Sequence, residues 1–345
     1  MKNKLITFFT MLVLLATLTS CKSDTDTSSI SDSQFKFNTI MTITLYGYND
    51  KNIFNEIWTE FDKMESLYSA NLDSSDVSKF NTNKSTSPIK MPKGIVDMVQ
   101  RANVYSKATD GKFDLTIEPV VKLWGISTET PRVPKQEEID IALPHVNYNN
   151  LIADTQNNTL QKSDPDLHID LGGIAKGYAA DQMAAFLKNK GIDRAILNLG
   201  GNIYAIGSKA ANTPWNVGIQ NPFEPSGDVV GIIKASEKSI VTSGSYERFF
   251  EQDGKTYHHI LNTTTGYPVE NELISVSIIS DLSVEGDILS TSTFSLGLDE
   301  GKKLINSLDH IGAIFITKDK KIYFAGDKTL TSSFELKKTE FQLKE

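Results

Sequence analysis

Phe35, Phe37, Met41, Ile43 and Leu45 alternate with mostly polar neighbours, the period-two pattern of one half-buried strand, which Gly47 ends. The period then lengthens. Ile53, Phe54, Ile57, Trp58, Phe61 and Met64 recur at three-to-four spacing and predict an amphipathic helix over 51–67. A second helix is predicted over 93–107, with Val96, Val99 and Ala102 inward and Asp110-Gly111 as its closing turn. Pro131, Pro134 and Pro144, set among charges, make 128–144 a surface excursion with one short helix.

From 167 onward the chain reads strand, Gly-Gly, helix, strand, Gly-Gly. Asp170-Leu171-Gly172-Gly173 and Asn198-Leu199-Gly200-Gly201 are near-copies, and Ala175, Tyr178, Ala179, Met183, Phe186 and Leu187 mark one buried helical face ended by Gly191. Beyond Trp215 the pattern turns β-rich, with strands over 229–233, 238–242 and 273–279 and a hairpin over 246–261 around Asp253-Gly254. Helices over 287–296 and 300–308 precede a closing hairpin of 313–317 and 321–325. Helices and strands are mixed without strict alternation, so the fold class is α+β, with mixed and antiparallel sheets and packed helices.

Composition narrows the function classes. A chain of 345 residues, 39% apolar and 23% charged, can bury a sizeable core. Its net charge of −8, with no Lys/Arg stripe, argues against a nucleic-acid partner. The single cysteine, Cys21, excludes an intrachain disulfide framework, a Cys-ligated zinc site and a Cys-His catalytic pair in the folded domain. Lys2 and Lys4, the apolar run 5–18 and Leu18-Thr19-Ser20-Cys21 look like a lipoprotein signal peptide over 1–20, with lipidation at Cys21. An ordinary signal peptide with an incidental cysteine is the alternative. A flexible stalk over 21–34 and one domain over 35–340 would follow, held by acyl chains to the extracytoplasmic face of the cell membrane.

Three segments carry candidate chemistry. Gly172-Gly173, followed by Lys176 in the first turn of a predicted helix, suits a phosphate-like anion or is simply a tight turn with a solvated lysine. Neither a Walker nor a Rossmann glycine pattern is present. Asp287 and Thr291, four apart at a predicted helix start, present a carboxylate and a hydroxyl on one face; they suit Mg²⁺, or Asp287 merely complements the helix dipole. In Tyr257-His258-His259-Ile260 adjacent side chains point to opposite faces, so only one histidine can face a given cleft. No H-E-x-x-H or G-x-S-x-G motif occurs.

Taken together, these segments resemble the ApbE family of FAD:protein FMN transferases. The matching runs are Phe113-Asp114-Leu115-Thr116-Ile117-Glu118-Pro119 with Leu123-Trp124-Gly125, then 168–181, Asn198 to Asn202, Thr242 to Tyr246, His259-Ile260 with Thr265-Gly266-Tyr267-Pro268, and Asp287 with Ser290-Thr291. The resemblance spans about residues 38–330 and implies an ApbE-like, T-fold-like architecture. It implies Mg²⁺-dependent transfer of FMN from FAD to a Thr or Ser hydroxyl of a partner protein, through a phosphoester bond, with release of AMP. The acceptors would be proteins of extracytoplasmic electron transfer. Residue by residue, it implies Asp287, Thr291 and the Gly173 carbonyl as metal ligands and Met41, Asn71, Lys112, Phe113, Asp114, Asp170, Lys176 and Ile260 as FAD contacts. His259 is implied as the base, and at its ordinary pKa the rate would fall below about pH 6.5. Two departures stand out: Met41-Thr42 replaces the usual Met-Gly-Thr, and Leu261-Asn262 replaces Asp-Pro after His259-Ile260. Rival readings are an enzyme that hydrolyses FAD to FMN and AMP, and a lipid-anchored flavin-binding protein without catalysis. Storage needs no base, which weighs against the last.

Overall fold

The structure is a computed structural model that describes residues 28–210, 213–225 and 227–344; the signal peptide and Cys21 lie outside the described residues. The first strand expected from the sequence is a hairpin. β1 (Ser29–Lys36) and β2 (Thr39–Tyr46) pair antiparallel across a turn in which Phe37 and Asn38 take φ of 49° and 57°. Left-handed backbone at both central positions matches the right-handed twist of the strands, here without a glycine to announce it. From Ser29 on, the expected stalk is therefore strand. Its serines lie on the open face, where Ser31 and Ser33 hydrogen-bond Thr44 and Thr42, while Asp32 accepts from the Trp58 indole at 2.7 Å.

The helices follow their apolar stripes: α1 (Ile53–Tyr68), α2 (Asp76–Thr82) and, after the short β3 (Ile89–Lys90), α3 (Lys93–Ala108). Then come α4 (Glu118–Trp124), α5 (Gln136–Ala142), the β4 (Leu151–Asp154) and β5 (Thr159–Lys162) hairpin, and α6 (Ala175–Asn189). Residues 167–171, expected as a strand, join no ladder. They are held instead by a two-way clasp between the Asn81 amide and the Ile169 backbone, at 2.9 and 2.8 Å, and by Asp170 N–H on the Leu115 carbonyl.

The second half supplies most of the sheet. It comprises β6 (Ala195–Leu199), β7 (Asn202–Ile206), β8 (Trp215–Gln220), β9 (Val229–Ala235), β10 (Lys238–Gly244), β11 (Phe249–Gln252), β12 (Lys255–His258) and β13 (Leu273–Ser280). α7 (Ser283–Leu296), α8 (Leu298–Asn306), β14 (Gly312–Thr317), β15 (Lys321–Gly326), α9 (Lys328–Thr331), β16 (Glu335–Leu336) and β17 (Gln342–Leu343) complete it. A nine-stranded sheet runs β1-β2-β6-β7-β10-β13-β14-β15-β17, antiparallel except for the last pair. Its inward residues, such as Met41, Ile43, Leu45, Leu197 and Leu199, pack under α1, α3 and α6, and Val276, Ile278 and Phe315 pack under α7 and α8. The opposite face of β7 to β15 is covered by a three-stranded sheet, β16-β9-β8, through Trp215, Val217, Ile219 and Val230. This is the α+β class expected. No helix among the described residues is long and apolar enough to cross a membrane.

Candidate functional site

A cavity of about 830 Å³ opens where the start of α6, the β6–β7 turn, β10, the β11–β12 hairpin and α7 converge. Lys112, Phe113, Asp114, Asp170, Gly173, Lys176, His259, Ile260, Asp287 and Thr291 all line it, so the structure brings together ten of the expected site residues. Met41 and Asn71 are not among them. Met41 is fully buried on the helix-facing side of β2 with Ile43 and Leu45, and Thr39 lines the cavity from this strand instead. Asn71 lies exposed in the turn between α1 and α2, its N–H on the Ser69 hydroxyl at 3.1 Å. The buried asparagine of this region is Asn81, which acts one step back by clasping the segment that carries Asp170.

Asp287 is the most tightly built group. It was expected at a helix start, but α7 begins at Ser283, and its N-terminus is capped by Asp181, whose two carboxylate oxygens accept from Ser283 N at 2.8 Å and Val284 N at 3.0 Å. The dipole-complementing carboxylate is thus Asp181, pushed up to about 6 by burial. Asp287 sits one turn further on, 4% exposed. Its oxygens accept from Gly177 N at 2.6 Å and from the Asn202 amide at 3.0 Å, while Ser283 Oγ donates to Asn202 Oδ1 at 2.8 Å and fixes the amide's orientation. The helix start at Ala175 therefore does take an anion, the protein's own carboxylate. Gly177 permits it: a Cβ there would stand 2.3 Å from the Ser283 carbonyl oxygen.

The two Gly-Gly motifs differ in purpose. Gly200 and Gly201 hold φ of 66° and 91°, conformations that favour glycine, whereas Gly172 and Gly173 have ordinary backbone and provide room. A Cβ on Gly173 would come within 3.2 Å of the Phe113 ring, and one on Gly172 within 3.0 Å of Asp170 Oδ1. Asp170 accepts from Gly172 N at 2.6 Å, and burial raises its pKa against that bond. Asp114 is spent locally: Thr116 N–H and O–H and Tyr148 N–H all donate to it at 2.8 Å, shaping the loop that presents Lys112 and Phe113.

On the far wall His258 and His259 diverge as expected for neighbours on a strand. Buried His258 hydrogen-bonds the Val269 carbonyl at 2.9 Å and meets Phe294 edge-on, outside the cavity lining. His259 lines the cavity, its N–H on the Arg248 carbonyl at 3.1 Å and its ring Nδ1 on the same oxygen at 3.3 Å. A carbonyl only accepts, so Nδ1 carries the hydrogen and Nε2 keeps a free lone pair. Burial, helped by the Arg248 charge, pushes the imidazole pKa down to about 3, so the ring is neutral throughout the physiological range. On this ground a histidine limb in the rate near pH 6.5 is no longer expected.

Arg248 and Glu247 had no role assigned from the sequence, although the matching Thr242 to Tyr246 run ends beside them. Both line the cavity. Arg248 adds a cation to Lys112 and Lys176, and the Glu247 carboxyl is pushed up to about 7 by desolvation, against the pull of Lys176 and Arg248. The hairpin that holds His259 rests on Trp124, whose indole donates to the Gly266 carbonyl at 2.7 Å and packs on Tyr257 with ring centroids 5.3 Å apart.

The donor set fits a hard divalent cation. Asp287 forms no ion pair among the described residues although it is buried at the cavity wall, and Thr291 Oγ1 lies on the same helix face with Ser243 Oγ at 3.3 Å. A buried carboxylate with only neutral donors is incompletely compensated.

The ApbE family pattern matches residues 37–315. The FAD:protein FMN transferase of Klebsiella pneumoniae is 34% identical over 84% of this chain and 90% of its own length, and that of Treponema pallidum is 32% identical over 77% of each. Among solved structures, the flavin transferase ApbE of Vibrio cholerae superposes with a TM-score of 0.77 at 28% identity, covering 86% of this chain and 97% of its own. The ApbE protein of Thermotoga maritima gives 0.79 at 29% identity, covering 89% and 99%.

Proposed function

This chain belongs to the ApbE family and is an enzyme that transfers FMN from FAD to a protein, and we propose that it does so through Mg²⁺-assisted attack of a Thr or Ser hydroxyl on the FMN phosphorus. The observation that carries this is the placement, on the same cavity, of a neutral histidine with a free Nε2 and a buried Asp287 that has neutral hydrogen-bond donors but no ion-pair partner among the described residues.

Asp287, Thr291 and the Gly173 carbonyl would hold the ion, which would supply positive charge to the diphosphate. Lys176 and Arg248, both at the cavity wall, add fixed cations. His259 accepts the acceptor's hydroxyl proton at Nε2 as its oxygen bonds to the FMN phosphorus. The diphosphate P–O bond breaks, and the bridging oxygen leaves with AMP. The loop shaped by Asp114 and the Phe113 ring against Gly173 position the flavin nucleotide, with Asp170 and Ile260 completing the lining. Met41 and Asn71 have no part in this reading.

We propose further that the chain is tethered by lipid at Cys21 to the extracytoplasmic face of the membrane, where its acceptors would be electron-transfer proteins; the lipobox-like Leu18 to Cys21 supports this. Cys21→Ser should release the protein from the membrane fraction, and retention there would contradict it. The chemistry is tested by incubating the enzyme with FAD, Mg²⁺ and an FMN-binding-domain acceptor and reading the acceptor's intact mass. An FMN-sized increment lost on replacing the acceptor threonine supports the reading. FMN and AMP formed beside unmodified acceptor would instead mark a hydrolase.

A further inference from the structure

We propose that the acceptor polypeptide docks as an added β-strand on the free edge of β8, lying over the open face of β1 and β2, and so leads its hydroxyl into the cavity. The inference rests on the transferase reading and adds where the second substrate binds.

β8 is the outer strand of the β16-β9-β8 sheet. In β9 the Val230 carbonyl accepts from Lys337 N–H, and Lys234 N–H donates to Ser333 Oγ, so its even-numbered residues direct their backbone towards the β16 side. Their partners across β8, Asn216 opposite Lys234 and Gly218 opposite Ile232, are therefore non-hydrogen-bonded pairs. The N–H and C=O groups of Asn216 and Gly218 point off the free edge, and they have no partner among the described residues. Protein edges of this kind are normally blunted by charge, proline or brevity. β8, Trp-Asn-Val-Gly-Ile-Gln, has six residues with no charge and no proline, whereas of the outer strands of the main sheet β1 carries Asp32 and Lys36 and β17 is two residues long, as is β16.

The floor beneath that edge is also unpaired. On the face of β2 opposite Met41, Ile43 and Leu45, Tyr46 packs on Trp215 with ring centroids 4.6 Å apart, so β8 starts above the end of β2. Its other end, at Gly218 and Gln220, lines the same cavity as Thr39, Asn198 and His259. On the same face of the β1–β2 hairpin as Tyr46 lie the Ser31–Thr44 and Ser33–Thr42 hydroxyl pairs, and then the cross-strand pair Phe35 and Ile40, 66% and 67% exposed. An extended acceptor segment would gain main-chain hydrogen bonds from β8, and its apolar side chains would cover Phe35 and Ile40 beside the cavity mouth. Continuity with the cavity, in a chain whose reaction requires a protein hydroxyl, selects an acceptor over a membrane or a second copy.

The test uses the full chain, FAD, Mg²⁺ and an FMN-binding domain that the wild type modifies. Asn216→Pro removes an outward donor where the β8–β9 ladder makes no bond, and Ile40→Asp places a charge on the exposed floor. Each should lower kcat/KM for the acceptor by at least about 10-fold, chiefly through KM, with FAD affinity and FAD hydrolysis by water within about twofold of wild type. Unchanged acceptor kcat/KM in both variants overturns the docking site alone. Altered liposome binding or dimerisation with unchanged transfer overturns it in favour of those occupants. A wild type that hydrolyses FAD but modifies no acceptor overturns the transferase reading and the docking site with it.

Discussion

The two walls of the cavity are built differently. The wall that holds Asp287 is a crossing of α6 and α7 in which the groups around the carboxylate are buried and partnered: Gly177 and Asn202 on Asp287, Ser283 on Asn202, Asp181 on the start of α7. The wall that holds His259 is a two-stranded hairpin, β11–β12, outside the main sheet, leaning on Trp124 through Phe250 and Tyr257, with Phe249, paired with His258 at its open end, 48% exposed. On the proposed mechanism the difference separates two tasks. Holding charge against a diphosphate requires groups that do not relax, and a closely packed helix crossing supplies that. Receiving a proton from another protein's hydroxyl requires a group that can be approached, and a hairpin beside the cavity mouth supplies that.

Five substitutions sharpen or break this contrast. The largest effect is expected from Asp287→Ala, which should abolish transfer and weaken FAD binding together; full activity in excess EDTA would count against a metal on that wall. His259→Ala should lower transfer by about 10²- to 10⁴-fold, the usual worth of a general base, while His258→Ala should cost only packing against Phe294 and the Val269 bond. A silent His259 variant beside a dead His258 variant would reverse the assignment of the base. Gly177→Ala must push α6 from the Ser283 backbone, so thermal unfolding should show a loss of about 1–3 kcal/mol, with FAD affinity falling in step. The smallest effect is in the pH profile. Because His259 is held down to about 3, it stays deprotonated from pH 5 to 8, and kcat should show no histidine limb near 6.5. Glu247, pushed up to about 7, should account for any bend there, and Glu247→Gln should remove it.

The sequence made much of the first wall legible and less of the second. The apolar stripes of α1, α3, α6 and α8 were readable because one face of each buries against the sheet, and Asp287 and Thr291 share a face by helical spacing alone. The start of α7 was placed too late because its cap, Asp181, comes from another helix. β1 passed for a stalk because its Ser-rich sequence pairs with hydroxyls on β2, a partnership that local composition does not carry. The burial of the Met41 side chain was readable: strand alternation puts it with Ile43 and Leu45, facing the helices. The low pKa of His259 was not readable, since it follows from burial beside Arg248, eleven residues away in sequence.

The most direct test of the division between the walls is the FAD dissociation constant of the Asp287→Ala and His259→Ala variants, measured by flavin fluorescence in Mg²⁺ beside their transfer rates. The account predicts that His259→Ala binds FAD within about twofold of wild type while losing transfer, and that Asp287→Ala loses both. Equal weakening of FAD binding in the two variants would contradict it.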